Sequence, residues 1–97
     1  MRIIAKRTLR LFWARHRDAE DALGAWHSDV KKRSWTGPAD VKASYPKASI
    51  VANNRVVFNI VGNRYRLVVA VKYDRSLVFI RFIGTHQDYD NIDATTI

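Results

Sequence analysis

The chain has no cysteine, only two prolines and a single methionine. Without thiols it can build neither a disulfide scaffold nor a thiolate metal site. Long apolar runs are missing too: none approaches the roughly 20 residues that span a bilayer as a helix. The opening MRIIAKR returns to charge too soon for a secretory signal, so a cytoplasmic protein is expected. There are no repeats, low-complexity segments or linkers, and residues 1–97 are expected to form one domain with one core. His16, His27 and His86 stand far apart in sequence, which argues against a metal site. No Walker loop, dinucleotide fingerprint or Ser/His/Asp signature occurs, and no cofactor is expected.

Negative charge is the other scarcity. Seventeen Lys and Arg stand against nine Asp and Glu, giving a net charge of +8 and a pI near 10.3. In so small a chain this points to an anionic partner, with nucleic acid first and an inert basic surface as the alternative. A membrane surface fits less well, because the cations are scattered rather than gathered on one amphipathic helix.

What is present divides into a helical half and a strand half. Leu9, Phe12 and Trp13 fall at helical spacing within 8–16, and Ala19, Ala22, Leu23, Trp26 and Val30 form a second stripe. Asp18 is the expected cap of that second helix. Pro38 opens a short helical turn and Pro46 ends it. From Ser49 the texture becomes β-branched and aromatic: SIVA, RVVFNIV, RYRLVVAVKY and SLVFIRFI read as strands. Gly62-Asn63 and Asp74-Arg75 are expected as two-residue hairpin turns, and the final ATTI as a frayed end. An RIIA strand at the start completes an α+β fold: two N-terminal helices on an antiparallel meander, with a short C-terminal helix.

Side chains alternate across a strand, so parity assigns faces. One face carries Val56, Phe58, Ile60, Tyr65, Leu67, Val69, Val71, Val78, Ile80 and Phe82, and is expected to cover the helices. The other carries Asn59 opposite Arg66, with Arg81 opposite Val68 and diagonal to Arg66. The last strand then runs into GTHQDYD at 84–90. Two readings stay open there. The stretch is a helix cap beside a merely solvated basic face, or His86 and Tyr89 meet the amide and two guanidinium groups in a reactive patch.

FNIVGNRYRLV together with FIGTHQDYD resembles the HigB toxins of bacterial type II toxin–antitoxin pairs, within the wider RelE-like group of ribosome-dependent mRNA endonucleases. The resemblance runs over essentially the whole chain. It implies metal-independent cleavage of mRNA in the ribosomal A site by attack of the 2′-hydroxyl, inhibiting translation. It also implies a helix-turn-helix antitoxin as partner, with operator DNA reached only through that antitoxin. On this resemblance His86 and Tyr89 move protons, and Arg66 and Arg81 stabilise charge on the phosphate. Asn59, Arg64, Lys72 and Asp90 support the site and contact RNA. A non-catalytic RNA- or ribosome-binding module is the rival reading.

Overall fold

The computed structural model describes all 97 residues. In chain order its elements are β1 (Arg2–Ile4), α1 (Lys6–Arg15), α2 (Glu20–Lys31), α3 (Pro38–Ser44), β2 (Ser49–Val51), β3 (Arg55–Ile60), β4 (Tyr65–Lys72), β5 (Leu77–Thr85) and α4 (His86–Tyr89). The strands form one sheet in the order β1-β5-β4-β3-β2. β2 to β5 are antiparallel neighbours, as the meander predicts, whereas β1 lies parallel to β5 and makes the sheet mixed. No helix is long and apolar enough to cross a membrane.

The helical stripes bury as their spacing dictates. Leu9 of α1 and Leu23, Trp26 and Val30 of α2 are buried against Val56, Phe58, Ile60, Tyr65, Leu67, Val69, Val71 and Val78 of the sheet. Pro38 stands at the start of α3, where its missing N–H costs nothing. Asp18, in contrast, caps no helix. A 3-10 turn over Arg17–Ala19 leads straight into α2, which has no side-chain cap. Instead Asp18 accepts the Tyr65 hydroxyl at 2.5 Å and an Arg64 N–H at 2.6 Å, and so ties the helical layer to the start of β4. Two tertiary donors outcompete the local backbone for this carboxylate.

The register of β3 on β4 is the expected one, with Asn59 opposite Arg66 and Ile60 opposite Tyr65. The connecting loop is wider than a two-residue turn: residues 61 to 64 all lie outside the strands, and Val61 and Gly62 both take left-handed φ. β4 on β5 also begins as expected, with Lys72 opposite Leu77 and Val69 opposite Ile80. A bulge then intervenes. Val68 faces Phe82, so Arg81 is the extra residue without a partner.

That single insertion inverts the alternation beyond it. Ile83 packs against the helix-side core, and Phe82 turns to the opposite face. There it joins Val57, Val68 and Ala94 in a second apolar cluster, with Tyr89, Ile92 and Ile97 packed around it. The expected frayed end is therefore a lid. Residues 92–97 fold back across the sheet, held by Asn53 Nδ2 on the Thr95 main-chain oxygen at 2.8 Å and by Arg55 on that of Ile97 at 2.7 and 3.1 Å. Nothing in LVFIRFI marks the bulge, because no glycine or proline interrupts its apolar run.

Candidate active site

The stretch GTHQDYD does form a helix cap. Thr85 Oγ1 accepts the Asp88 N–H at 3.1 Å, and Asp88 Oδ2 accepts the Thr85 N–H at 3.4 Å, a reciprocal capping box. The box sets where α4 starts, which puts His86 and Tyr89 three residues apart on adjacent positions of one turn. The His86 N–H donates to the Arg64 main-chain oxygen at 3.0 Å, pinning α4 to the β3–β4 loop. The cap and the candidate site occupy the same stretch of chain.

His86 Nδ1 lies 3.5 Å from Asp90 Oδ2, one helical turn on. A carboxylate on that side orients the ring and leaves Nε2 as the nitrogen free for a ligand. Tyr89 is half-buried against the second cluster. The Arg66 guanidinium stands 5.9 Å from the centre of its ring, within cation–π range. Arg66 donates to the main-chain oxygens of Asn63 at 3.0 Å and Tyr65 at 3.4 Å. No carboxylate pairs with it. Its charge is thus positioned by neutral carbonyls and left uncompensated.

Gly84 sits directly opposite Arg66 and is buried. A Cβ there would lie 2.6 Å from the Phe82 ring, so the ring's approach over the strand requires glycine. Asn59, exposed, is the cross-strand neighbour of Arg66 on its other side. The structure therefore brings together His86, Tyr89, Arg66, Asn59 and Asp90.

Of the other three residues singled out in the sequence, Arg81 and Lys72 lie apart, and the side chain of Arg64 is engaged elsewhere. Because Arg66 faces Gly84, Arg81 is three positions away along β5, roughly 10 Å at the rise of a strand. The diagonal pairing expected for the two arginines is undone by the bulge, and Arg81 Nε instead donates to the Ile97 main-chain oxygen at 3.2 Å. Arg64 is engaged in the ion pair with Asp18. Lys72 lies at the far end of β4, six positions and roughly 20 Å from Arg66. Parity reasoning missed Asp18 as an anchor of the loop, and it missed the lid. Residues so far apart in sequence carry no local signal of meeting.

Several groups make stability depend on pH. The hydrogen bond from Tyr65 and then the Arg64 contacts hold the Asp18 carboxyl below its ordinary 3.8. Tyr45 and Arg33 do the same for Asp29, and Thr36 for Asp40. Each contribution is present above the ordinary carboxylate value and is lost as pH falls from there through the depressed value of the folded protein. Burial, followed by the charges of Lys6 and Lys31, depresses His27 below its ordinary 6.5. Below that pH the unfolded chain takes up a proton that the folded one refuses, so stability falls there as well. Denaturant midpoints measured from pH 8 to pH 3 should decline in two stages. His27→Gln should remove the upper stage, and Asp18→Asn should flatten part of the lower.

No group of three His, Cys, Asp or Glu that could hold a metal ion is formed. Four helices with a five-stranded mixed sheet make an α+β fold of the RelE-like kind. Residues 19–92 match the family HigB_toxin, described as the RelE-like toxic component of a toxin-antitoxin system, and the chain belongs to that family. It is similar, at 26% identity over 96 residues, to the mRNA interferase toxin HigB of Escherichia coli strain K12, covering 97% of this chain and 92% of that one. The mRNA interferase HigB proteins of Escherichia coli O157:H7 and Shigella flexneri match to the same extent.

Proposed function

We propose that this toxin is an endoribonuclease acting on mRNA in the ribosomal A site, with residues 1–97 working as one toxin domain in the cytoplasm. The observation that carries the reading is the placement of His86 and Tyr89 one turn apart on α4, with the unpaired Arg66 guanidinium over the tyrosine ring. Attack by the 2′-hydroxyl on its own phosphate needs a base for that proton and an acid for the departing 5′-oxygen. It also needs positive charge where the phosphorane forms. His86 and Tyr89 exchange the two protons, and the products are a 2′,3′-cyclic phosphate and a 5′-hydroxyl. Arg66 meets the developing charge, and the reaction draws on no metal.

Asp90 orients His86, and Asn59 flanks the phosphate beside Arg66. Arg64 contacts RNA beside the centre, and Arg81 and Lys72 contact it further out. Turning the nucleotide into line falls to the ribosome, since orientation can supply several kcal/mol of a barrier. The relatives' name, mRNA interferase, supports the substrate class. An antitoxin follows from the family, and we assign it the helix-turn-helix class, binding operator DNA on behalf of both proteins.

The test is single-turnover cleavage of a short labelled mRNA on programmed ribosomes with an empty A site, beside naked RNA. Cleavage confined to the ribosome is expected. Intact mRNA on ribosomes that still bind the protein would leave only a binding module.

A further inference from the structure

Residues 92–97 do more than close the second cluster. No main-chain hydrogen bond joins them to the sheet. Every bond between the two is donated by a side chain on the sheet side: Asn53 to the Thr95 main-chain oxygen, and Arg55 and Arg81 to that of Ile97. The Ile97 oxygen accepts three N–H groups at once, from Arg55 Nη2 at 2.7 Å, Arg55 Nε at 3.1 Å and Arg81 Nε at 3.2 Å. The two guanidinium groups reach it from β3 and β5, the strands on either side of β4, and no aspartate or glutamate pairs with either.

Two guanidinium groups converging on one oxygen form a cradle for an oxyanion, because their N–H groups hold charged oxygens more strongly than neutral ones. The phosphodiester is the oxyanion that an RNA strand presents. Arg55 stands opposite Ala70, four positions along β4 from Arg66, and Arg81 is roughly 10 Å from Arg66 along β5. A strand with one phosphate at Arg66 therefore brings another within reach of the cradle. The cover over it is slight. Residues 92–97 contain neither helix nor strand, and of them only Ala94 is buried. Segments with few buried contacts open at low cost.

We propose that Arg55 and Arg81 form a second phosphate-binding subsite, which residues 92–97 shut by placing the Ile97 main-chain oxygen where a phosphate oxygen would sit. RNA and lid compete for the same N–H groups, so only the fraction of molecules with the lid raised binds RNA through them. Ile92 and Ile97 of the lid pack against the same cluster as Tyr89, and the restraint extends to one flank of the reacting centre. The proposal rests on the endoribonuclease reading for the identity of the anion, and adds to it a built-in limit on RNA binding.

The experiment measures binding of a fluorescent 2′-O-methyl RNA, which lacks the attacking hydroxyl, by anisotropy over a range of salt. The full chain is compared with a variant lacking residues 95–97, each with the two arginines intact or replaced together by Arg55→Gln and Arg81→Gln. Removing 95–97 should tighten binding about 5-fold or more, within the range of ordinary site-to-site coupling. It should also steepen the salt dependence by about 0.7, the share of one phosphate on a single strand. In the glutamine pair the same removal should change neither. Asn53→Gly keeps the left-handed φ of 61° and drops only the tie to Thr95, so it should give a smaller gain of the same sign. That variant decides the matter if the shortened chain does not fold. No gain on opening the lid, or an equal gain without the two arginines, would overturn the subsite. On programmed ribosomes, mRNAs carrying one neutral methylphosphonate at a time identify the strand. A position that erases the gain assigns the phosphate to mRNA, and the lack of one assigns it to ribosomal RNA. Failure of wild type to cut on ribosomes, with the binding pattern intact, would bring down the proposed function and leave the subsite standing.

Discussion

His86→Ala is expected to slow cleavage on the ribosome at least 100-fold without unfolding the protein. A positioned acid or base contributes on the order of 10²–10⁴ in rate. The side chain is 52% exposed, so its removal leaves no cavity. The capping box rests on Thr85 and Asp88, and the stitch to the β3–β4 loop uses the His86 main chain. Alanine keeps both, and circular dichroism and the denaturant midpoint should match wild type. A rate within a few-fold of wild type would remove His86 from the chemistry and leave GTHQDYD as a cap alone. Tyr89→Phe offers a second check, because it keeps the ring under Arg66 and deletes only the hydroxyl.

Replacing Arg66 should cost as much, for a different reason. Arg66→Ala removes the one uncompensated cation next to Tyr89, and the loss of a preorganised charge-stabilising donor costs about 10²–10³ in rate. Arg66→Lys should recover little of it. A lysine keeps the charge but has no planar group to lay over the Tyr89 ring while one nitrogen, as Arg66 Nη1 does, holds the oxygens of Asn63 and Tyr65. The discriminating readout is the pair of variants measured together on ribosomes. Near-complete rescue by lysine would show that bulk charge suffices and that the guanidinium geometry contributes nothing. Equal, deep losses in both would tie the rate to the planar guanidinium.

Much of this architecture is written in local chemistry. Apolar residues at helical spacing announce α1 and α2, and β-branched alternation announces the meander. The pairing of Asn59 with Arg66 follows from counting residues across Gly62-Asn63. Thr85 and Asp88 three positions apart are enough to start α4, and with it to bring His86 and Tyr89 to one turn. The charge of +8 names the kind of partner before any fold is known. These features need only neighbours a few residues away, or a composition, and both are explicit in a sequence.

What only the tertiary structure decides depends on contacts between distant segments. The bulge at Arg81 is one: Val68 meets Phe82 because the second cluster gains that ring, and an apolar strand has no local preference for where to insert a residue. From that choice come the separation of Arg81 from Arg66, the close approach over Gly84 and the lid of residues 92–97. Asp18 is another, since a carboxylate before a helix suits a cap until Tyr65 and Arg64 arrive from more than 40 residues away. The amino-acid pattern alone determined the elements, the basic charge and the histidine–tyrosine pair. Packing decided which of the arginines reaches them, because only a finished sheet has two faces to compete for each side chain.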